Sequence, residues 1–347
     1  MGKDWISIWH AHPGIFIDGC AHARFQPGAP NTAAGNSISL QFIAWDVKVE
    51  TNLTVIGLDR IGISIGLALT PKGKYSSVAG WDGDPVIMKR VRVMNAFSTL
   101  PSRLEDAVRT ADLLMLTQPL DEVRDTFSKI NKWIKKDVVV LYFSCLPAEA
   151  ASLAKDELKI PVHFVALTPS INPKYLHQQA DRFPYADLFE NSRIYISHPA
   201  DLPPAIIQLA TEVARLLGAD PFFADMDEVE GLQTLTYILP YFTAATLMDE
   251  ILHEPGWRDA SQLAGSELAG MLGLLDSPSP ESAAEVLITN RENSLRVMAN
   301  LGRSLSDLAT LIESGDSQKL QEKLSHLRDE YFDWLSKRGA LQAKKAP

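Results

Sequence analysis

The sequence predicts an α/β protein, a doubly wound parallel sheet followed by an all-α helical domain. Three observations carry that prediction. Between Asn52 and Ser197 short apolar runs alternate with helical segments, and strands that are apolar throughout belong to a parallel sheet covered on both faces. The first run ends in a glycine turn that opens a helix. Beyond Pro203-Pro204 the runs stop, and long segments of helical spacing take over.

Taken in order, Leu53–Ile56 is a short β-branched strand ending at Gly57, and Ile61–Thr70 is helical. Ser77–Trp81 reads as the second strand, Leu104–Ala111 as a short helix and Asp112–Thr117 as the third strand. Asp121–Lys135 is helical, Val138–Phe143 a fourth strand, Pro147–Glu157 a helix, and Val162–Ala166 and Arg193–Ser197 the last strands. The helical region opens with Ala205–Leu217, stopped by Gly218. Val229–Leu252 is a long apolar helix in which Pro240 predicts a kink. Ser279 and Pro280 read as a helix start, Ser279 capping and Pro280 in the first turn. Along Ser282–Ile312, Leu295, Met298, Leu301, Leu305, Leu308 and Ile312 form one stripe. Gln318–Leu335 follows a Gly315-Asp316 break. The expected organisation is an extension over 1–50, a dinucleotide-binding domain over 51–200, a helical substrate and dimerisation domain over 201–337 and a basic tail over 338–347.

Composition narrows the function classes. The chain has 347 residues, 46% hydrophobic and 22% charged, which suits a globular protein of about two domains. Its 33 Lys and Arg against 43 Asp and Glu give a net charge of −10, a poor match for nucleic acid, where cations must neutralise phosphates. Cys20 and Cys145 cannot build a disulfide framework, and no apolar run reaches membrane-spanning length. The expectation is a cytoplasmic protein without a membrane partner. His10, His12, Cys20 and His22 fit no zinc spacing, so no metal is expected.

The turn Gly57-Leu58-Asp59-Arg60-Ile61-Gly62 lies between a strand and a helix, the context of a Rossmann dinucleotide site. Its first glycine permits the tight turn and its third lets helix and strand pack closely, with Gly66 a further close-packing position. Diphosphate then sits on the helix N-terminus, where free N–H groups and the dipole favour anions. Asp82, 20 residues after Gly62, is placed to accept from the adenosine ribose, favouring NAD while leaving NADP open. Asp59 stands at the middle glycine position, and like charges about 4 Å apart repel by about 4 kcal/mol at an effective dielectric of 20. Asp59 must therefore point away or be offset by Arg60, whose guanidinium is expected to clamp a phosphate.

The stretch Val55–Leu69, the Ala111-Asp112-Leu113 to Pro119 block, Leu239-Pro240 and Asn290-Arg291 resemble the prephenate/arogenate dehydrogenase family, over about Asn52–Leu335. The resemblance implies a Rossmann domain, a helical domain that forms a homodimer, and NAD(P)-dependent oxidative decarboxylation of a small molecule, prephenate or arogenate, in tyrosine biosynthesis. It implies cofactor contacts at Gly57, Asp59, Arg60, Ile61, Gly62 and Asp82, with Thr117, Gln118 and Pro119 beside the nicotinamide-side ribose.

The chemistry-bearing blocks depart from the family. Thr168, in Thr168-Pro169-Ser170, stands where the catalytic histidine belongs; Ser144 is what remains of a Gly-Ser-Val-Lys block; Gln262 stands where an arginine holds a substrate carboxylate; and Tyr237-Ile238-Leu239-Pro240 replaces Ser-His-Leu-Pro. Losing a positioned base typically costs 10²–10⁴-fold, and threonine is neutral at physiological pH. Candidate catalytic residues are thus Thr168, Ser144 and His177, the last in the loop beyond Tyr175. Ser170, Asn172, Tyr237, Tyr241 and Gln262 are candidate substrate contacts. Two alternatives stay open here: a nucleotide-binding homologue without prephenate turnover, and a dehydrogenase for a different small hydroxy substrate.

Overall fold

The computed structural model describes residues 51–176 and 183–339. The N-terminal histidines, Cys20 and His177 lie outside the described residues.

Among the described residues seven strands form one sheet: β1 (Asn52–Ile56), β2 (Ser77–Trp81), β3 (Leu113–Leu116), β4 (Val138–Phe143), β5 (Val162–Pro169), β6 (Arg193–Ser197) and β7 (Asp220–Phe223), in the order β2-β1-β3-β4-β5-β6-β7. Strands β1 to β5 are mutually parallel. From β1 the chain moves outward to β2, then crosses back to β3, so connections diverge at the carboxyl ends of β1 and β3. That divergence opens a crevice.

The helices between strands follow from apolar spacing. Helices α1 (Arg60–Leu69), α2 (Pro85–Met94), α3 (Leu104–Arg109), α4 (Leu120–Ile130), α5 (Pro147–Glu157) and α6 (Pro204–Leu216) cover the sheet. Leu53, Val55, Met115 and Leu141 point to the α1, α2 and α6 side. Ile56, Leu114, Leu116 and Val140 point to α3, α4 and α5, where Phe127 and Ile130 are buried. Period-two alternation thus feeds two cores, and each fully buried large side chain contributes about 1.5–3 kcal/mol. The buried polar residue of β1, Thr54, donates its hydroxyl to Ala107 O at 2.9 Å.

Three features differ from expectation. β6 runs antiparallel to β5, so the sheet is mixed. The strands do not stop near residue 200: β7 pairs with β6 in parallel and α6 packs on the same sheet. Its Asp-Pro-Phe-Phe sequence hides the strand, because proline is tolerated only at a sheet edge, where β7 lies. The long helix through Pro240 is not continuous. It comprises α7 (Met226–Gln233), a π-helical turn over Thr234–Ile238 and α8 (Leu239–His253). Pro240 has no N–H for the regular ladder, and the backbone adjusts in the turn before it.

The remaining helices are α9 (Trp257–Ala260), α10 (Ser266–Leu272), α11 (Pro280–Thr289), α12 (Arg291–Glu313) and α13 (Ser317–Lys337). Ser279 caps α11, accepting from Ser282 N at 3.2 Å, as its sequence suggests. Ser282 in turn donates to Asp121 Oδ1 at 2.8 Å, tying α11 to α4. No described helix is long and apolar enough to cross a membrane.

Candidate active site

A cleft of about 890 Å³ lies over the carboxyl ends of β1 to β5, closed on one side by the π turn and α11. The glycine turn forms its floor. Gly57 has φ +90°, the left-handed region that glycine tolerates, and a Cβ there would lie 2.9 Å from Gln118 N. A Cβ on Gly62 would meet Gly57 O at 2.0 Å, so the third glycine is what lets α1 pack on the turn. Gly66 receives the Phe97 ring in the same way. Thr117, at the end of β3, donates its hydroxyl to Gly57 O at 2.7 Å and fastens the turn to the next strand.

Asp82 follows β2 directly. Its carboxylate accepts from Leu58 N at 2.7 Å and Asp84 N at 2.8 Å, which holds it at the mouth of the cleft, where a ribose would lie. Gln118 sends its side chain to α4, accepting from Thr126 at 2.8 Å. Its carbonyl accepts the Tyr142 hydroxyl at 2.9 Å. The Thr117–Pro119 turn is thereby fixed from two sides.

Asp59 corrects the expectation. It neither points away nor pairs with Arg60. Its Oδ1 accepts from Gly62 N at 2.8 Å and from the Thr117 hydroxyl at 3.1 Å, making it the N-cap of α1. The cleft walls withhold bulk water and raise its carboxyl to about 6; the bonds from Gly62 and Thr117 oppose that rise, and Asp82 adds a smaller repulsion. Asp59 still opens to the water of the cleft, which screens part of the effect. Arg60 leaves the cleft altogether. Its Nε donates to Phe183 O at 3.1 Å and its guanidinium lies 5.9 Å from the Tyr175 ring. An accessible carbonyl and an aromatic face compete for it better than the capped carboxylate.

At the far end of the cleft, Ser144 Oγ accepts from Leu146 N at 2.9 Å, and Thr168 donates to Ser144 O at 2.7 Å. Thr168 lies inside β5, not in the loop after it, and its side chain is buried. Burial pushes the Cys145 thiol up to about 11, so it is a neutral wall at physiological pH. Sequence patterns do not flag Gln233, Tyr142, Ser282 or Lys129, which also line the cleft. Each reaches it only because the end of α7, β4, α11 and α4 converge there.

Several sequence candidates lie elsewhere. Ser170 Oγ bonds the Arg193 backbone, accepting from its N at 2.9 Å. Asn172 caps the following short helix and donates to Asp187 O at 3.0 Å, and the Tyr175 hydroxyl donates to Asp187 Oδ1 at 2.6 Å. These groups satisfy local backbone and acid partners because the chain turns away from the cleft after Pro169. Tyr237 lines the cleft, whereas Tyr241 and Gln262 do not; Tyr241 lies in α8, beyond the π turn, and Gln262 is exposed beyond α9. Among the described lining residues Lys129 is the one cation, and it pairs with Asp125; none is a histidine or an arginine. No described group of acids, histidines and cysteines could hold a metal ion.

The open turn at Gly57 and Gly62, the ribose-side carboxylate of Asp82 and the fixed Thr117–Pro119 edge fit a pyridine dinucleotide. The exception is the helix N-terminus, which already holds the carboxylate of Asp59.

No family model matches the sequence. A cyclohexadienyl dehydrogenase of Zymomonas mobilis is 22% identical over 293 residues, 80% of this chain and 93% of that protein. Among solved structures, prephenate dehydrogenase from A. aeolicus, in complex with hydroxyphenyl propionate and NAD+, has a TM-score of 0.69 at 17% identity, covering 82% of this chain and 98% of that one. Synechocystis arogenate dehydrogenase gives 0.61 at 17% identity, with 82% and 100% covered. The structures share the fold, a Rossmann-like sheet followed by helices, and the sequence relationship spans nearly all of the Zymomonas protein. By sequence the chain is similar to a cyclohexadienyl dehydrogenase, and by fold to solved prephenate and arogenate dehydrogenases.

Proposed function

We propose that the chain is a prephenate/arogenate dehydrogenase-like oxidoreductase that uses NAD to oxidise the ring hydroxyl of a cyclohexadienol acid, with loss of carbon dioxide, in tyrosine biosynthesis. The carrying observation is that one cleft holds the glycine turn, Asp82 and the Ser144–Thr168 strand ends in a chain related in sequence to a cyclohexadienyl dehydrogenase. When bound, the nicotinamide supplies the hydride acceptor. Asp82 accepts from the adenosine ribose and repels a 2′-phosphate, favouring NAD over NADP. Gly57, Ile61 and Gly62 give the diphosphate close backbone approach, and Thr117, Gln118 and Pro119 border the nicotinamide-side ribose.

Ser144, Thr168 and Tyr237 shape the reacting end. The Thr168 hydroxyl is engaged with Ser144 O and is no proton acceptor at neutral pH. We assign that role to His177, the first histidine in the chain after the β5 end of the cleft. The sheet-bearing half binds the cofactor, while the helices close the substrate end and form a homodimer. Leu295, Leu305, Ile312, Leu324 and Leu327, exposed on α12 and α13, supply an apolar surface that a second copy would cover. A reducing cytoplasm suits the cysteine usage.

The test is reduced-nicotinamide absorbance after adding prephenate or arogenate to protein with NAD. Turnover abolished by His177→Ala supports the assignment. Dinucleotide binding without turnover of either acid overturns the substrate, and turnover intact in His177→Ala overturns the base.

A further inference from the structure

The N-terminus of α1 meets the cleft through the N–H groups of its first turn, and Asp59 is the residue in its way. A backbone N–H that would otherwise face an incoming anion, that of Gly62, is donated to Asp59 Oδ1 at 2.8 Å. The Thr117 hydroxyl has one proton for two acceptors, Gly57 O at 2.7 Å and Asp59 Oδ1 at 3.1 Å, so the carboxylate is not neutralised from that side. Among the described residues no cation offsets it either. Arg60 on α1 is turned to the Phe183 carbonyl, Lys129 on α4 is paired with Asp125, and the other charges on the facing elements are acids: Asp82 and Asp84 after β2, Glu122 on α4.

We propose that Asp59 is an affinity-setting residue of this site: its carboxylate occupies the anion position of the turn, and a dinucleotide diphosphate binds only by displacing or protonating it. The proposal rests on the dinucleotide reading and adds that this chain holds its cofactor more weakly than its turn would allow. Asp59→Asn keeps a good N-cap and removes the charge, while Asp59→Gly restores the motif's open position. Wild type and both variants would be titrated with NADH and with ADP-ribose, a diphosphate without a reactive ring, by fluorescence and calorimetry at pH 5.5 and pH 8. Circular dichroism would verify their folding.

At pH 8 both variants should bind both ligands at least about fivefold more tightly, since even in water two charges about 4 Å apart cost about 1 kcal/mol. The gap should narrow at pH 5.5, where the raised carboxyl of Asp59 takes up a proton and wild type loses its handicap. Equal affinities in all three proteins at pH 8 overturn the proposal while leaving the dinucleotide reading intact. Failure of all three to bind either ligand removes the dinucleotide reading and this inference with it.

Discussion

Thr168→Val separates a structural threonine from a catalytic one. Valine keeps the branched shape of the buried side chain and deletes only the hydroxyl, which donates to Ser144 O at 2.7 Å between the ends of β5 and β4. Depriving a buried carbonyl of a donor costs about 1–3 kcal/mol. In a chain of this size each kcal/mol moves Tm by about 2–4 °C. Urea unfolding followed by tryptophan fluorescence should therefore show a loss of about 1–3 kcal/mol. Removing a true general base typically costs 10²–10⁴-fold, whereas a hydroxyl spent on Ser144 should leave kcat within about threefold. Unchanged stability together with a kcat reduced by about 100-fold would refute the reasoning and place Thr168 among the reacting groups.

Other perturbations probe the same geometry. The Asp59 carboxyl rises from 3.8 unfolded to about 6 folded, so its proton favours the native state at low pH and the native state loses stability as pH rises through 6. The full shift equals about 3 kcal/mol, and screening by cleft water reduces this to about 1 kcal/mol. Asp59→Asn should thus match wild type near pH 4 and exceed it in urea melts above pH 7. Asp82→Asn should weaken NAD binding and narrow its advantage over NADP, read as the ratio of the two Kd values. Thr234→Val removes the hydroxyl that accepts from Asn290 Nδ2 at 2.8 Å in a buried site. It should cost about 1–3 kcal/mol and raise KM, because it loosens the π turn that carries Tyr237.

Much of the fold was legible because its signals are local. β1, Gly57 and α1 are written in one stretch of chain, and β3 and β4, buried along their whole length, show as continuous apolar runs. β7 was not legible: it is four residues long, begins Asp-Pro and is mostly exposed. The antiparallel direction of β6 depends on chain reversal between Pro169 and Arg193, which periodicity does not encode. The π turn needed knowledge of how α7 and α8 share Pro240. At the site, Asp82 was readable from its position after β2, whereas Ser170 and Asn172 were polar in the expected place but turned to backbone partners. Asp59 stands in the sequence as a conflict of charge, and only the hydrogen bond from Gly62 shows that it resolves the conflict by capping the helix.

The most direct measurement is a titration of the purified protein with NADH and NADPH, followed by quenching of its tryptophans and by nicotinamide fluorescence. We expect saturable binding of both, tighter for NADH, with Gly62→Ala abolishing it through the contact its Cβ would make with Gly57 O. An unaltered signal up to millimolar concentration of either nucleotide, from a protein shown to be folded, would contradict a dinucleotide site at this turn.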